Sequence, residues 1–187
     1  MRTFLSNAKL FTFLTLGYAA FYFANNLGTE FLYLTPGAHL VHIPSGIKIL
    51  ITLITGFVGA CAIFVASILW GLLYAFPSEY GLVAMLSLGS AVVPWLVCKM
   101  SSKQFQLDGE LSNLSIISLA FIGIGYAFLN TLVTQSILYL SGHTESLWSG
   151  MQVMMIGDIT GILLVVTLAR LINRFINRDG AFSSKKF

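Results

Sequence analysis

Charged side chains are scarce in this chain of 187 residues, since Lys, Arg, Asp and Glu together make up only 9% of it. An ordinary soluble domain carries about 25%. Hydrophobic residues make up 57%, and the mean hydropathy is +0.86. So few charges could not keep that much apolar surface dispersed in water. The composition therefore excludes a disordered chain, a nucleic-acid-binding module and a typical cytosolic enzyme, and it indicates an all-α integral membrane protein.

The sequence also has few cysteines and lacks the common catalytic motifs. The two cysteines, Cys61 and Cys98, lie inside apolar runs and form no CxxC arrangement, so we expect no disulfide framework. The sequence has no nucleophile elbow, phosphate-binding loop, HExxH motif or pair of carboxylates with an obvious water-accessible role. We therefore expect a protein that is not an enzyme and has no metal site, and the sequence identifies no cofactor.

Long apolar runs dominate what remains, and one helical crossing of a membrane needs ~20 residues. The runs cover residues 9–34, 45–76, 80–99, 113–140 and 147–172. The second run is ambiguous, because it is too long for one helix across a ~30 Å core and too short for two full crossings. Gly56 and Gly59 lie near its middle, so a turn there would divide it into residues 45–55 and 57–76. The first of these pieces would be short or partly re-entrant, with its ends buried in protein.

The basic residues decide between five and six crossings, because Lys and Arg are enriched in cytoplasmic loops. Six segments place both termini and nine of the ten Lys and Arg residues in the cytoplasm, with Lys48 as the exception. Five segments would place Arg2 and Lys9 outside. We therefore predict one bundle of about six membrane segments over residues 1–176 and a short basic cytoplasmic tail at residues 177–187, with five segments as the alternative.

Two short motifs are the most specific local feature of the sequence. Pro-Ser-Gly-Ile at residues 44–47 opens the second run and is followed by Ser-Ile-Leu-Trp-Gly at 67–71, while Gly-Asp-Ile-Thr-Gly occupies residues 157–161 of the last run. These motifs and their spacing resemble the first family of bacterial membrane-associated sensor domains, over about residues 10–172. The resemblance implies a multi-span input region of the kind found in histidine kinases and diguanylate cyclases.

The sequence departs from that family in two respects. Members usually feed a cytoplasmic signalling module, whereas this chain ends soon after Arg178, and Lys48 stands where the family pattern is small or aliphatic. The resemblance therefore implies a stand-alone, sensor-like protein of a bacterial inner membrane. Its role in signal transduction would be to bind a ligand or a partner and to pass its output to another protein.

Polar side chains inside the apolar runs are the candidates for ligand binding, because a charge at the centre of a membrane helix costs about 2.5–3.5 kcal/mol on insertion scales. Asp158 is the deepest, and Gly157 and Gly161 beside it form a smooth face that a ligand or a second helix could approach. Further polar residues fall in the predicted outer half of the bundle: Asn25, Asn26, Glu30 and Asn130. We interpret this set as a pocket open to the outside, with interhelical hydrogen bonds as the alternative interpretation.

Lys48 is the one basic residue on the predicted outer side, and a buried ammonium needs a partner. We expect Glu30 to be that partner and Asp158 to stay free for a ligand or a proton. The three histidines fall on predicted outer loops, where we interpret them as solvent-facing or interfacial side chains and not as metal ligands: His39, His42 and His143.

Three kinds of function fit these features. The first is the sensor-like bundle. The second is a substrate-capture subunit of a transporter, similar in size to the substrate-binding subunits of energy-coupling-factor transporters. The third is an accessory structural subunit of a larger membrane complex. All three place the chain in the lipid bilayer beside a membrane-protein partner or a second copy, and none involves nucleic acid. Small residues offer contact faces for a partner: Gly56 and Gly59, Ala60 and Ala62, Gly123 and Gly125.

Overall fold

The computed structural model of this chain describes residues 2–29, 33–35, 38–39, 41–107 and 113–183. Nearly all of them are helical, so the predicted all-α class is confirmed. The elements in chain order are α1 (Arg2–Thr29), β1 (Tyr33–Thr35), β2 (Ala38–His39), α2 (Ile43–Thr55), α3 (Phe57–Trp70), a π-helical turn (Gly71–Ala75), α4 (Tyr80–Gln104), α5 (Ile116–Leu140) and α6 (Leu147–Ser183). The two short strands pair antiparallel in the segment that we expect to be a loop. Helix α6 continues through residues 177–183, beyond the predicted start of the tail.

Glycine and proline set the boundaries of α2 and α3. Pro44 lies in the first turn of α2, where a missing amide hydrogen costs little because that amide has no helical acceptor. Gly56 separates the two helices with a φ of +58°, a conformation that other residues rarely adopt. The chain folds back here, since a Cβ on Gly59 would lie 2.7 Å from the Ile51 side chain. The predicted break at this glycine is therefore confirmed.

Four helices in the described residues are long and apolar enough to cross a membrane: Phe57–Ala75, Tyr80–Gln104, Ile116–Leu140 and Leu147–Ala169. Helix α2 is apolar but has 13 residues, about 20 Å at 1.5 Å per residue, which is too short for a ~30 Å core. Helix α1 has 28 residues, but threonines and asparagines lower its hydropathy. Six helices thus occupy the six predicted segments, and four of them qualify as spans by length and composition.

The surface of the bundle is apolar. Phe13, Leu140 and Trp148 are 75%, 84% and 71% exposed, and many other large hydrophobic side chains also face outwards. A soluble protein would not present so much contiguous apolar surface to water. The exposed side chains therefore agree with the apolar helices in indicating a membrane protein.

Helices α4, α5 and α6 run in alternating directions. Gly89 of α4 packs against Val133 of α5, and Gly123 of α5 packs against Ile162 of α6. The α3–α4 and α5–α6 connections consequently meet at one end of the bundle, where His143 Nε2 lies 3.1 Å from Glu79 Oε1. We call this end the connection end; it is the outer end in the predicted topology.

Helix α2 begins at mid-depth in the bundle. The amide of His42, just before α2, donates a hydrogen bond of 3.0 Å to the carbonyl of Gly157, which lies about 15 Å along α6 from Leu147. From there α2 runs beside α6 away from the connection end, because Gly46 packs against Val165. The chain before α2 therefore reaches into the bundle, as the prediction of a partly re-entrant segment requires.

Candidate functional site

The carboxylate of Asp158 lies at the centre of the bundle with no solvent exposure. Its Oδ1 accepts a hydrogen bond of 2.5 Å from the Ser45 hydroxyl and lies 3.1 Å from His42 Nδ1. Its Oδ2 accepts a hydrogen bond of 2.7 Å from the Asn130 amide. A buried carboxylate is costly unless its oxygens are paired, and here side chains at the start of α2 and on α5 supply the donors.

The imidazole of His42 also lies 2.8 Å from the Ser45 hydroxyl oxygen. Because Ser45 gives its own hydrogen to Asp158, the hydrogen between the two residues comes from the imidazole, which assigns a proton to Nδ1. The Tyr126 hydroxyl donates a longer hydrogen bond of 3.5 Å to the same serine oxygen. We call Asp158, Asn130, Ser45, His42 and Tyr126 the Asp158 network; it ties the start of α2 to α5 and α6.

The two motifs of the sequence pack against each other at this network. A Cβ on Gly46 would lie 2.6 Å from the Val165 side chain and 2.9 Å from the Gly161 carbonyl oxygen. Gly161 in turn lies against the His42 carbonyl, with no room for a Cβ. Small residues allow membrane helices to approach closely. The glycines therefore bring Ser45 within reach of Asp158, which is 113 positions away in the chain.

A cavity of about 710 Å³ extends from the Asp158 network towards the connection end. Small-molecule sites in proteins occupy about 300–1,000 Å³, so this cavity has room for a ligand. Its polar lining comes from four helices and the residue before α2: His42, Lys48, Ser67, Ser87, Ser90 and Asn130. Asn26 and Thr134 also line it. The cavity therefore combines a polar floor at mid-depth with walls built by most of the bundle.

One wall of the cavity is aromatic. Trp70 and Tyr74 stack with their ring centroids 4.8 Å apart, Tyr22 lies 5.2 Å from Trp70, and Phe23 lies 5.6 Å from Tyr74. We call these four residues the aromatic wall. The π-helical turn carries Tyr74 and begins directly after Trp70, and such turns are frequent at functional sites.

Lys48 supplies a positive charge to the floor of the cavity. The residue is 4% exposed and lines the cavity. Among the described residues, no carboxylate oxygen lies within 4.0 Å of its ammonium, and Asp158 attracts it from a greater distance. Asp158 itself is enclosed by its hydrogen-bond donors. Within the described lining of the cavity, the one formally charged side chain is therefore the ammonium of Lys48.

The structure brings four of the predicted site residues to one place. Asp158 and Asn130 are hydrogen-bonded to each other. Lys48 and Asn26 line the adjoining cavity, as Asn130 also does. This cavity extends to the connection end, which is the outer end in the predicted topology.

Three other predicted residues serve helix packing. Asn25 accepts a hydrogen bond of 3.2 Å from the Ile43 amide, one of the amides that lack a partner at the start of α2. Gly157 and Gly161 are covered by the start of α2, through the His42 amide and carbonyl. The smooth face that we expect around Asp158 is thus occupied by a second helix of the same chain and not by a ligand.

Two expectations, one about Asp158 and one about His42, are wrong. Asp158 is not free, because three side chains of neighbouring segments hold its two oxygens. His42 is not a solvent-facing loop residue, because the chain before α2 enters the bundle and places its imidazole beside that carboxylate. Glu30, the expected partner of Lys48, and the side chain of His39 lie outside the described residues. His143 lies at the connection end, against Glu79.

Ser45 and His42 are the site residues that the sequence pattern did not indicate. Ser45 lies inside the Pro-Ser-Gly-Ile motif, so the motif itself was the available signal. His42 precedes that motif on a segment with the composition of an outer loop, and nothing local shows that the segment enters the bundle. Serines such as Ser87 and Ser90 cannot be told from ordinary packing residues until the cavity is seen.

The comparisons with known proteins give no relative from which a function could be carried over. No family model, no curated protein and no solved structure matches this chain.

Proposed function

We propose that this protein is a sensor-like, polytopic membrane protein that binds a small ligand in the cavity above the Asp158 network. The proposal includes six membrane segments, two cytoplasmic termini and a bacterial inner membrane. The observation that carries it is a ligand-sized cavity whose floor holds buried polar and charged side chains, among them Lys48 and Asn130. Such side chains are expensive inside a membrane and most often mark a functional site.

Helix α2 offers a route from the ligand to the opposite end of the bundle. Its start touches the cavity through Lys48 and the Asp158 network through Ser45. Its other end, at Gly56, borders a small cavity beside Lys99 and Ser102 of α4, far from the connection end. A ligand that changes the contacts at the start of α2 could shift this short helix against α6, which is a common type of switching motion. A membrane-protein partner would detect the shift.

A transporter subunit and an accessory subunit are the alternatives, and the packing gives them less support. Ala60 and Ala62 are buried, Gly59 packs against α2, and Gly123 packs against Ile162. Most of the small residues that could form a partner face are therefore used inside the bundle. Copurification distinguishes the alternatives: paired ATPases would favour a transporter, a stoichiometric membrane complex an accessory subunit, and a kinase or cyclase the sensor.

Filling the cavity tests the proposal. Thr134 lines the cavity on α5, whereas Leu132, two positions earlier, is 37% exposed on the outer face of the same helix. We expect the organic extract of the purified wild-type protein to contain a small molecule that Thr134→Trp loses and the control Leu132→Trp retains. Mass spectrometry of the three extracts provides the comparison. If Thr134→Trp and the wild type give the same extract, the cavity is not a ligand site.

A further inference from the structure

We infer that the ligand of this cavity is an amphiphilic monocarboxylate, whose charged group binds at Lys48 and whose apolar body lies along the aromatic wall. This inference rests on the proposed function and deepens it by giving the chemical class of the ligand. The observations that carry it are the charges at the floor of the cavity and the chemistry of the aromatic wall.

The charged side chains at the floor of the cavity favour an anionic ligand group over a cationic one. The carboxylate of Asp158 is fully buried, both of its oxygens are held by protein donors, and it does not line the cavity. The ammonium of Lys48 does line the cavity and has no carboxylate within 4.0 Å among the described residues. A desolvated ammonium is stabilised by an anion in direct contact, and an anionic ligand group supplies one.

Serine hydroxyls extend the polar floor. Ser87 is buried and lines the cavity, and Ser67, which also lines it, donates a hydrogen bond of 3.4 Å to the hydroxyl of Ser90, a third lining serine. A hydroxyl can donate a hydrogen bond to a carboxylate. The described lining therefore offers the Lys48 ammonium and serine hydroxyls as donors to a carboxylate, without any contribution from Asp158.

The aromatic wall selects the rest of the ligand. Tyr22, Phe23, Trp70 and Tyr74 all line the cavity, and aromatic side chains favour an apolar or planar body. Aromatic rings also attract cations. A cationic ligand, however, would meet the ammonium of Lys48 at the floor and would find no carboxylate in the described lining of the cavity. The positive floor thus excludes the cation that the rings alone would accept.

Two pairs of probes test the inference with the full-length protein in detergent. Decanoate and methyl decanoate represent lipid-derived acids, and 2-naphthoate and methyl 2-naphthoate represent planar aromatic acids. Trp70 lies in the aromatic wall, so its fluorescence reports binding; Trp70→Phe and empty micelles are the blanks. We expect at least one acid to bind about tenfold more tightly than its ester, as a charge-assisted hydrogen bond would require. The pair whose acid binds more tightly shows whether the ligand is a lipid-derived acid or a planar aromatic acid.

Variants that change the charge at Lys48 show whether this ammonium causes the preference for the acid over its ester. Lys48→Met should abolish it, Lys48→Arg should keep it, and Lys103→Met, an exposed lysine of α4, should leave it unchanged. If Lys48→Met prefers the acid over the ester as strongly as the wild type does, the inference is overturned.

If Lys48→Met does not fold, the comparison of acid and ester in the wild type decides alone. Esters that bind as tightly as acids would refute the carboxylate, while the ligand-binding function would stand. If no probe binds, the carboxylate assignment fails, and the extracts of the Thr134→Trp experiment then decide whether the cavity binds any ligand.

Discussion

At the scale of single residues, Asp158 is held more firmly than a free intramembrane carboxylate would be. Ser45, His42 and Asn130 all direct polar hydrogens at it from two other segments of the chain. Each donor would itself be left unsatisfied if the carboxylate were removed, and an unpaired buried polar group costs about 1–3 kcal/mol. The stability of the bundle should therefore depend on the acceptor character of this position and not only on its size.

Replacing Asp158 by asparagine tests this dependence. Asp158→Asn keeps the volume but turns an NH₂ group towards a donor, so we expect the free energy of unfolding to fall by about 1–3 kcal/mol. The double variant Asp158→Asn with Asn130→Asp exchanges the two groups and should recover part of that loss. Thermal unfolding in detergent measures both effects, with Glu79→Gln at the exposed connection end as the control. An unchanged midpoint for Asp158→Asn would mean that the carboxylate is not held as described.

The same residues show how far a sequence can predict a site. Asp158 and Asn130 could be identified because polar groups inside apolar runs are costly and therefore conspicuous. His42 could not, because its role depends on a segment that enters the bundle between α1 and α2, and local composition does not encode that path. Asn25 was predicted as a ligand-binding residue, whereas its side-chain oxygen accepts a hydrogen bond from the Ile43 amide at the start of α2.

At the scale of elements, the close approach of α2 to α6 explains why a Pro-Ser-Gly motif and a Gly-Asp-x-x-Gly motif occur together. A Cβ on Gly46 would collide with Val165 and the Gly161 carbonyl, and a Cβ on Gly161 would collide with the His42 carbonyl just before α2. The break at Gly56 could be predicted from the length of the run and the glycines in it. The partner of α2 could not, because a 13-residue apolar helix can pack against any neighbour.

Alanine substitutions at two glycines distinguish the effect of close helix packing on stability from the effect of helix propensity. A Cβ at Gly46 would collide with Val165 and with the Gly161 backbone, and overpacking of this kind costs about 1–3 kcal/mol. Gly125 of α5 has open space around it, so alanine there should leave stability unchanged or raise it by about 0.5–1 kcal/mol. Urea or thermal unfolding of Gly46→Ala and Gly125→Ala should therefore give shifts of opposite sign or a shift in Gly46→Ala alone. Equal shifts would contradict the close α2–α6 contact.

At the scale of the whole molecule, composition and hydropathy were enough to predict a helical membrane bundle, and the distribution of Lys and Arg was needed to choose six segments over five. The same distribution predicts the orientation. The structure adds which ends lie together: His143 meets Glu79 at the connection end, while Gly56 lies beside Lys99 and Ser102 near the other end. The turn at Gly56 and the end of α4 thus share one side of the bundle, as six alternating segments require.

Cysteine labelling in intact cells tests the orientation itself. Cys61 and Cys98 are first replaced by alanine, so that single cysteines at Phe4, Lys103 or Glu145 are the only targets. Because nine of the ten basic residues lie on the cytoplasmic side of a six-segment bundle, a membrane-impermeant maleimide should label only the cysteine at Glu145 from outside. The cysteines at Phe4 and Lys103 should react after permeabilisation. Labelling at Phe4 from outside, with Lys103 still protected, would leave five crossings and would place Arg2 and Lys9 on the outer side.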